Sequence, residues 1–264
     1  LFNSWRRSFA YNFEEVRKLL SFSISLLGER TINYWVRNTD NLLIGKVLGS
    51  SSLGLYSKAY NLMLFPLRNI SGVITRVMFP SMAAIKEDRA RVGRIFLKVT
   101  RVIALITFPM MVGCIIAADN LVITLFGIDW VGMIPILRIL SVVGLIQSVV
   151  TVVGSVFLSQ GRADMQFRLG LIIKPVLIIG IVAGLNWGVE GVAIGYACAV
   201  TFAQYINIKW AGNLVGVSYM DMLKNLSPIA LWTVVMGLGV TGFSFLLPGH
   251  WANWLQLVLK VFVG

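Results

Sequence analysis

The sequence predicts an all-α membrane protein of about eight transmembrane helices. Three observations carry that prediction. Hydrophobic residues are 57% of the 264 and charged residues only 13%, where an average soluble domain has about a quarter charged. Several apolar runs reach the roughly 20 residues that a helix needs to cross a bilayer core. Lys and Arg recur in every second connection between those runs. A mean hydropathy of +0.81 excludes a disordered chain, and two cysteines are too few for a disulfide scaffold. The same chain carries a net charge of +12, so the placement of its cations is the question to answer.

Residues 1–18 are mixed and charged, lack the apolar centre of a signal peptide, and form a cytoplasmic lead-in. The first two spans, 19–47 and 52–84, are apolar on the whole but carry charges throughout, so both are amphipathic spanning helices. The windows 102–118, 139–161 and 191–208 contain no charged residue, and 169–186 contains only Lys174. Residues 225–259 are again uncharged and are divided by the turn signal Pro248-Gly249-His250-Trp251 into two further segments. The chain starts at Leu1 and ends in an apolar run, so it is expected to be part of a longer protein.

Orientation follows from the positive-inside rule, which counts Lys and Arg near the helix ends. One set of connections holds Arg6, Arg7, Arg17 and Lys18, then Lys86 to Lys98, then Arg162 and Arg168, then Lys209 and Lys224. The alternate set is nearly bare, with Asp119, Asp129, Glu190 and His250, and Lys46 at the edge of the connection near Gly49. Trp130, Trp187, Trp251 and Trp254 fall on the bare side, as interfacial anchors do. The first set is therefore expected in the cytoplasm.

Seven cations remain inside the expected spans: Arg30, Arg37, Lys58, Arg68, Arg76, Arg138 and Lys174. Each costs about 2.5–3.5 kcal/mol at the bilayer centre on insertion scales, so they require a hydrated cavity or paired acids. At 100° per residue, Arg30 and Arg37 fall within about 20° of one another, and Asn33, Tyr34, Asp40 and Asn41 are their polar neighbours on that helix. On the next helix Lys58 and Arg76 are about five whole turns apart; Asn61 and Asn69 share their side and Arg68 sits at its edge. Two cationic stripes of this kind suit a basic pocket for an anionic substrate, and Arg suits a diphosphate because its planar fork donates two parallel hydrogen bonds. The competing reading is local: Arg30 pairs with Glu29 and Arg37 with Asp40, or the long side chains reach an interface. Pro66, Pro109 and Pro175 lie inside spans and favour kinks. Gly28, Gly72, Gly113 and Gly144 permit close helix approach.

Enzyme signatures are missing. There is no phosphate-binding loop, no His-Glu-x-x-His and no nucleophile elbow, so neither a cofactor nor a metal is expected. Cys114 and Cys198 sit singly in apolar runs and read as small buried hydrophobes, and His250 lies in an outer turn.

Five stretches together carry a resemblance. NTDNLLIGKVLG from Asn38 to Gly49 is followed by LGLYSKAY from Leu53 to Tyr60. ITRVMFP from Ile74 to Pro80 precedes the charged loop KEDR at Lys86 to Arg89. LFGIDW from Leu125 to Trp130 precedes IPILRIL from Ile134 to Leu140. In order and spacing, over residues 13–248, the chain resembles the polysaccharide exporter branch of the multidrug/oligosaccharidyl-lipid/polysaccharide flippase superfamily. The type is similar to the colanic-acid and lipopolysaccharide exporters. Such proteins have two six-helix lobes, often with two extra helices, and move undecaprenyl-diphosphate-linked oligosaccharide to the outer leaflet of the bacterial inner membrane.

The resemblance implies that this chain is the C-terminal portion of a 12–14-helix flippase. Residues 19–214 become the second six-helix lobe and 215–264 the two extra helices, the last truncated. The partners implied are the lipid-linked oligosaccharide, membrane lipids and an N-terminal lobe missing here, with no nucleic acid. Arg30, Arg37, Arg68 and Arg76 become candidates to hold the diphosphate, with Lys58 and Lys174 weaker. Arg30 and Arg37 match no motif, so their role rests on the helical-face reasoning. Two alternatives stay open: a lipid II flippase or multidrug exporter of the same superfamily, and a membrane polysaccharide polymerase or ligase. The basic stripes argue against a cation-drug exporter, and short outer connections argue against an enzyme.

Overall fold

Each of the expected apolar runs becomes a helix in the computed structural model, which describes residues 13–246 and 253–263. The turn at 248–251 and residues 1–12 of the lead-in lie outside the described residues. Helix α1 (Phe13–Ala84) is broken at Gly49, whose φ of +87° only glycine adopts without strain, into arms 13–48 and 50–84. A side chain placed on Gly45 would lie 3.1 Å from Leu53 Cδ2, whereas eight residues of straight helix advance about 12 Å. The second arm therefore returns beside the first. The arms match the two amphipathic segments read from the sequence.

Helix α2 (Arg89–Ile116) starts on an Asp88 cap, whose carboxylate accepts the Arg91 N–H at 2.9 Å. Short α3 (Ala118–Phe126) leads into α4 (Met133–Val150), which a two-residue break separates from α5 (Val153–Ser159). Helices α6 (Ala163–Gly184) and α7 (Gly188–Val215) form a tight pair. A reciprocal pair of bonds, Ser218 N–H to Asp221 Oδ2 (2.9 Å) and Asp221 N–H to Ser218 Oγ (3.0 Å), opens α8 (Tyr219–Leu246). Helix α9 (Asn253–Val263) follows. The helices continue through Pro66, Pro109 and Pro175.

Four stretches among the described residues are long and apolar enough to cross a membrane: 89–116, 133–159, 163–215 and 219–244, the third holding both α6 and α7. The arms of α1 carry more charge than these, and α9 has 11 residues. The chain is an all-α, multi-pass membrane protein. Hydroxyls buried in its interior are satisfied locally: Thr100, Thr107, Ser141 and Thr233 each donate to the carbonyl four residues back, at 2.7–2.9 Å. Such bonds let polar side chains sit where no water is available.

Two buried clusters divide the interior. One joins Met82, Phe96, Phe157 and Val217, and the other joins Ile44, Tyr56, Val122 and Met133. The first lies at the end where the connections hold Lys86, Arg89, Arg162 and Lys224, the second where they hold Asp119, Asp129 and Glu190. The alternation along the sequence thus becomes a concentration of Lys and Arg in the connections at one end of the bundle.

Close packing of α6 on α7 is built from glycines. A side chain at Gly180 would meet the Gly195 carbonyl oxygen at 2.6 Å, and one at Gly184, Gly191 or Gly195 would also collide with the opposite backbone. The pattern is a small-x-x-x-small motif on each helix, Gly180/Gly184 and Gly191/Gly195, which lets two backbones touch. Of the four glycines expected to play this part, Gly28 meets Phe167 and Gly144 meets Met63 and Met111. Gly72 and Gly113 do not: among the described residues no atom lies within 4 Å of where their side chains would begin.

Candidate functional site

The second arm of α1 presents one uncovered face. Lys58, Asn61, Arg68, Asn69 and Arg76 are all exposed, while Tyr56, Ala59, Met63 and Leu67 on the opposite side are buried against the bundle. Apolar side chains share that uncovered face, with Phe65 65% and Val77 60% exposed. On the first arm Arg30 and Asn41 are exposed beside Tyr34 (66%) and Trp35 (65%). Among the side chains described, these cations are turned away from the core. The side chains of Asn33, Arg37 and Asp40 lie outside the described residues. Among the described residues no hydrogen bond or ion pair joins Arg30, Arg68 and Arg76 to each other or to an acid. Among the described residues the face is therefore basic, and it is interleaved with aromatic and aliphatic groups.

Lys174 stands elsewhere. It lines a cavity of about 160 Å³ with Glu29, Gln166 and Asn207, between the first arm of α1 and helices α5, α6 and α7. Asn207 donates to Gln204 Oε1 at 3.0 Å, and Gln166 Oε1 is sealed from solvent with no hydrogen-bond partner among the described residues. Glu29 is half-buried in this cavity while Arg30 is exposed on another side of the helix. An acid and a base thus face one cavity, which makes Lys174 a poor partner for an additional dianion and separates it from the α1 stripe.

Two other cations in or near the expected spans have local partners. The Lys58 ammonium stands 5.8 Å from the Phe126 ring centre and 5.9 Å from that of Trp130, a cation–π arrangement. Arg138 of α4 pairs with Asp119 of α3. Both contacts lie at the acid-bearing end, and neither draws the cation into a common pocket with Arg68 or Arg76.

Sequence reading missed three polar assemblies. Gln166 and Asn207 complete the Lys174 cavity; Gln166, Gly170 and Lys174 share one face of α6 at i, i+4, i+8 spacing, a signal that is readable. Tyr196 of α7 accepts from Gln147 Nε2 at 2.8 Å and its hydroxyl lies 3.3 Å from that of Tyr60, tying α1, α4 and α7 together. Asn120 of α3 donates to Asn253 (3.3 Å) and Gln256 (3.2 Å) and accepts from Lys260 Nζ (2.7 Å), all from α9. Pairings across more than a hundred residues have no local signature.

Comparison with known proteins follows the same direction. Residues 1–135 match the family described as Polysaccharide biosynthesis protein. The chain is 32% identical over 230 residues to the Lipopolysaccharide biosynthesis protein WzxC of Escherichia coli K12, covering 84% of this chain and 46% of that protein. It is 33% identical over 163 residues to the Teichuronic acid biosynthesis protein TuaB of Bacillus subtilis, covering 62% and 34%. It is 27% identical over 133 residues to the Succinoglycan biosynthesis transport protein ExoT of Rhizobium meliloti, covering 50% and 27%. The chain spans less than half the length of each of these relatives.

Proposed function

The chain belongs to the polysaccharide biosynthesis protein family, and from that premise we propose that it forms part of a flippase for undecaprenyl-diphosphate-linked oligosaccharide in the bacterial inner membrane. One observation carries this reading: the uncovered face of α1, where Arg68 and Arg76, with Arg30 on the other arm, stand exposed beside aromatic side chains with no ion-pair partner among the described residues. Exposed to lipid, that face would be unfavourable at about 2.5–3.5 kcal/mol per cation. It is stable where a hydrated cleft covers it, and an N-terminal lobe of the same protein is the partner that forms the cleft. The six-helix lobe (19–214) and two extra helices (215–264) then act as one half of a two-lobed transporter of alternating access.

Each guanidinium donates two parallel hydrogen bonds to a phosphate, so several arginines on one wall hold a diphosphate without any chemical step. Tyr34, Trp35 and Phe65 offer flat apolar surfaces beside it, suited to the isoprenoid or to sugar faces. The protein works by moving its cargo, not by transforming it. The basic connections lie in the cytoplasm, with the N-terminal end of this chain, as the positive-inside rule requires.

The test is export in cells that depend on this protein. Arg68→Ala combined with Arg76→Ala is expected to lower surface polysaccharide at least tenfold while the protein stays at its normal level in the membrane. Export at the wild-type level from that variant would sink the assignment of the α1 face.

A further inference from the structure

A second concentration of positive charge lies apart from α1. A cleft of about 440 Å³ opens between the start of α2, the end of α7 and the start of α8. Arg89, Arg94, Asn213 and Asp221 line it together with the turn through Gly216, and among the described residues none of α1 does. The Asn225 amide of α8 donates to the Leu97 carbonyl of α2 at 2.8 Å, holding the two helices together beside the cleft. Asp221 is engaged in capping α8 through Ser218. Two guanidiniums therefore face one carboxylate that already has partners.

The outer surface of α2 supplies an independent observation. Arg91, Arg94, Lys98 and Arg101 fall within an arc of about 80° over about 15 Å of helix, and all four are exposed. Among the described residues none of them takes part in an ion pair. The same arc turns apolar at its next positions, Val102 (44% exposed) and Leu105 (61% exposed). A helix face that changes from basic to aliphatic within one turn has the profile of a headgroup-to-acyl boundary. Arg94 belongs to both features: it sits on this face and lines the cleft.

We propose that this cleft is a binding site for an anionic phospholipid, its phosphate on Arg89 and Arg94 and its acyl chains along Val102 and Leu105. Charge complementarity selects an anionic over a zwitterionic lipid, and the planar guanidinium fork fits a phosphate. The site is distinct from the α1 face and does not depend on the transport reading.

Native mass spectrometry of the purified full-length protein, incubated separately with phosphatidylglycerol, phosphatidylcholine and undecaprenyl diphosphate, tests it. Wild-type protein is expected to retain at least five-fold more phosphatidylglycerol than phosphatidylcholine. Arg89→Ala with Arg94→Ala is expected to abolish that preference, and Arg168→Ala, an exposed cation outside the cleft, to keep it. Should the double variant misfold, Arg94→Gln alone is read in its place, with at least a three-fold loss expected. Unchanged retention in the cleft variants overturns the proposal. So does equal loss in Arg168→Ala, which would mean unspecific attraction, or a loss of undecaprenyl diphosphate in the cleft variants as large as that of phosphatidylglycerol, which would give the cleft to the lipid diphosphate.

Discussion

Helix α1 and the α6–α7 pair occupy the same protein but are specified in opposite ways. In α6 and α7 glycines at Gly180, Gly184, Gly191 and Gly195 bring two backbones into contact, and their surroundings are apolar. In α1 one side is buried on the bundle and the other keeps Arg30, Arg68 and Arg76 exposed with no partner among the described residues. Lipid tails are as apolar as a leucine side chain, so apolarity alone does not hold helices together in a bilayer; shape does. The α6–α7 seam is such a shape-defined contact. The exposed side of α1 is distinguished instead by what is left uncovered, cations that are costly in lipid.

Substitutions break or sharpen this comparison in a definite order. Gly184→Leu drives a side chain into the Gly191 backbone. Overpacking costs about 1–3 kcal/mol and more where backbones must part, so the solubilised protein is expected to lose its monodisperse peak in size-exclusion chromatography. A normal peak would show that the two helices are not held by close contact. Next, Asn120→Ala removes the hub of three bonds between α3 and α9. A buried polar partner left unsatisfied costs about 1–3 kcal/mol, and faster proteolysis near residue 253 is the measurement that follows. Tyr196→Phe deletes the hydroxyl shared by Gln147 and Tyr60 and should lower thermal stability by about 1 kcal/mol. The smallest effect on stability belongs to the candidate site: Arg68→Ala should change it by no more than about 0.5 kcal/mol, as exposed positions do. If Arg68→Ala proves as destabilising as Gly184→Leu, the arginine serves the fold and the contrast between the regions collapses.

Much of the architecture was legible because bilayer solvation imposes a coarse, local rule. Runs of apolar residues at 102–118, 139–161, 169–186 and 191–208 became α2, the α4–α5 stretch, α6 and α7. Even the charged segments 19–47 and 52–84 became the two arms of α1, divided at Gly49. Helical periodicity also put Arg76 on one side of the second arm with Arg68 at its edge, and both are exposed. Periodicity had no bearing on Lys174, which shares a helix with none of the other candidates and lines a separate cavity with Glu29. Residue type alone could not decide Gly72 and Gly113, since a glycine permits close approach but only a neighbouring helix makes it happen, and among the described residues none does there.

By itself, the sequence determined the helices, their breaks and the segregation of basic from acidic connections, because these depend on the solvent and on neighbours within a few residues. Only the tertiary structure decided which charges are partnered. Arg138 met Asp119, Lys58 met Phe126 and Trp130, Lys260 met Asn120, and Arg68 and Arg76 were left exposed. Those outcomes turn on how residues far apart in the chain are placed, because Coulomb and hydrogen-bond energies depend on separation, orientation and the local dielectric, none of which is fixed by sequence neighbours.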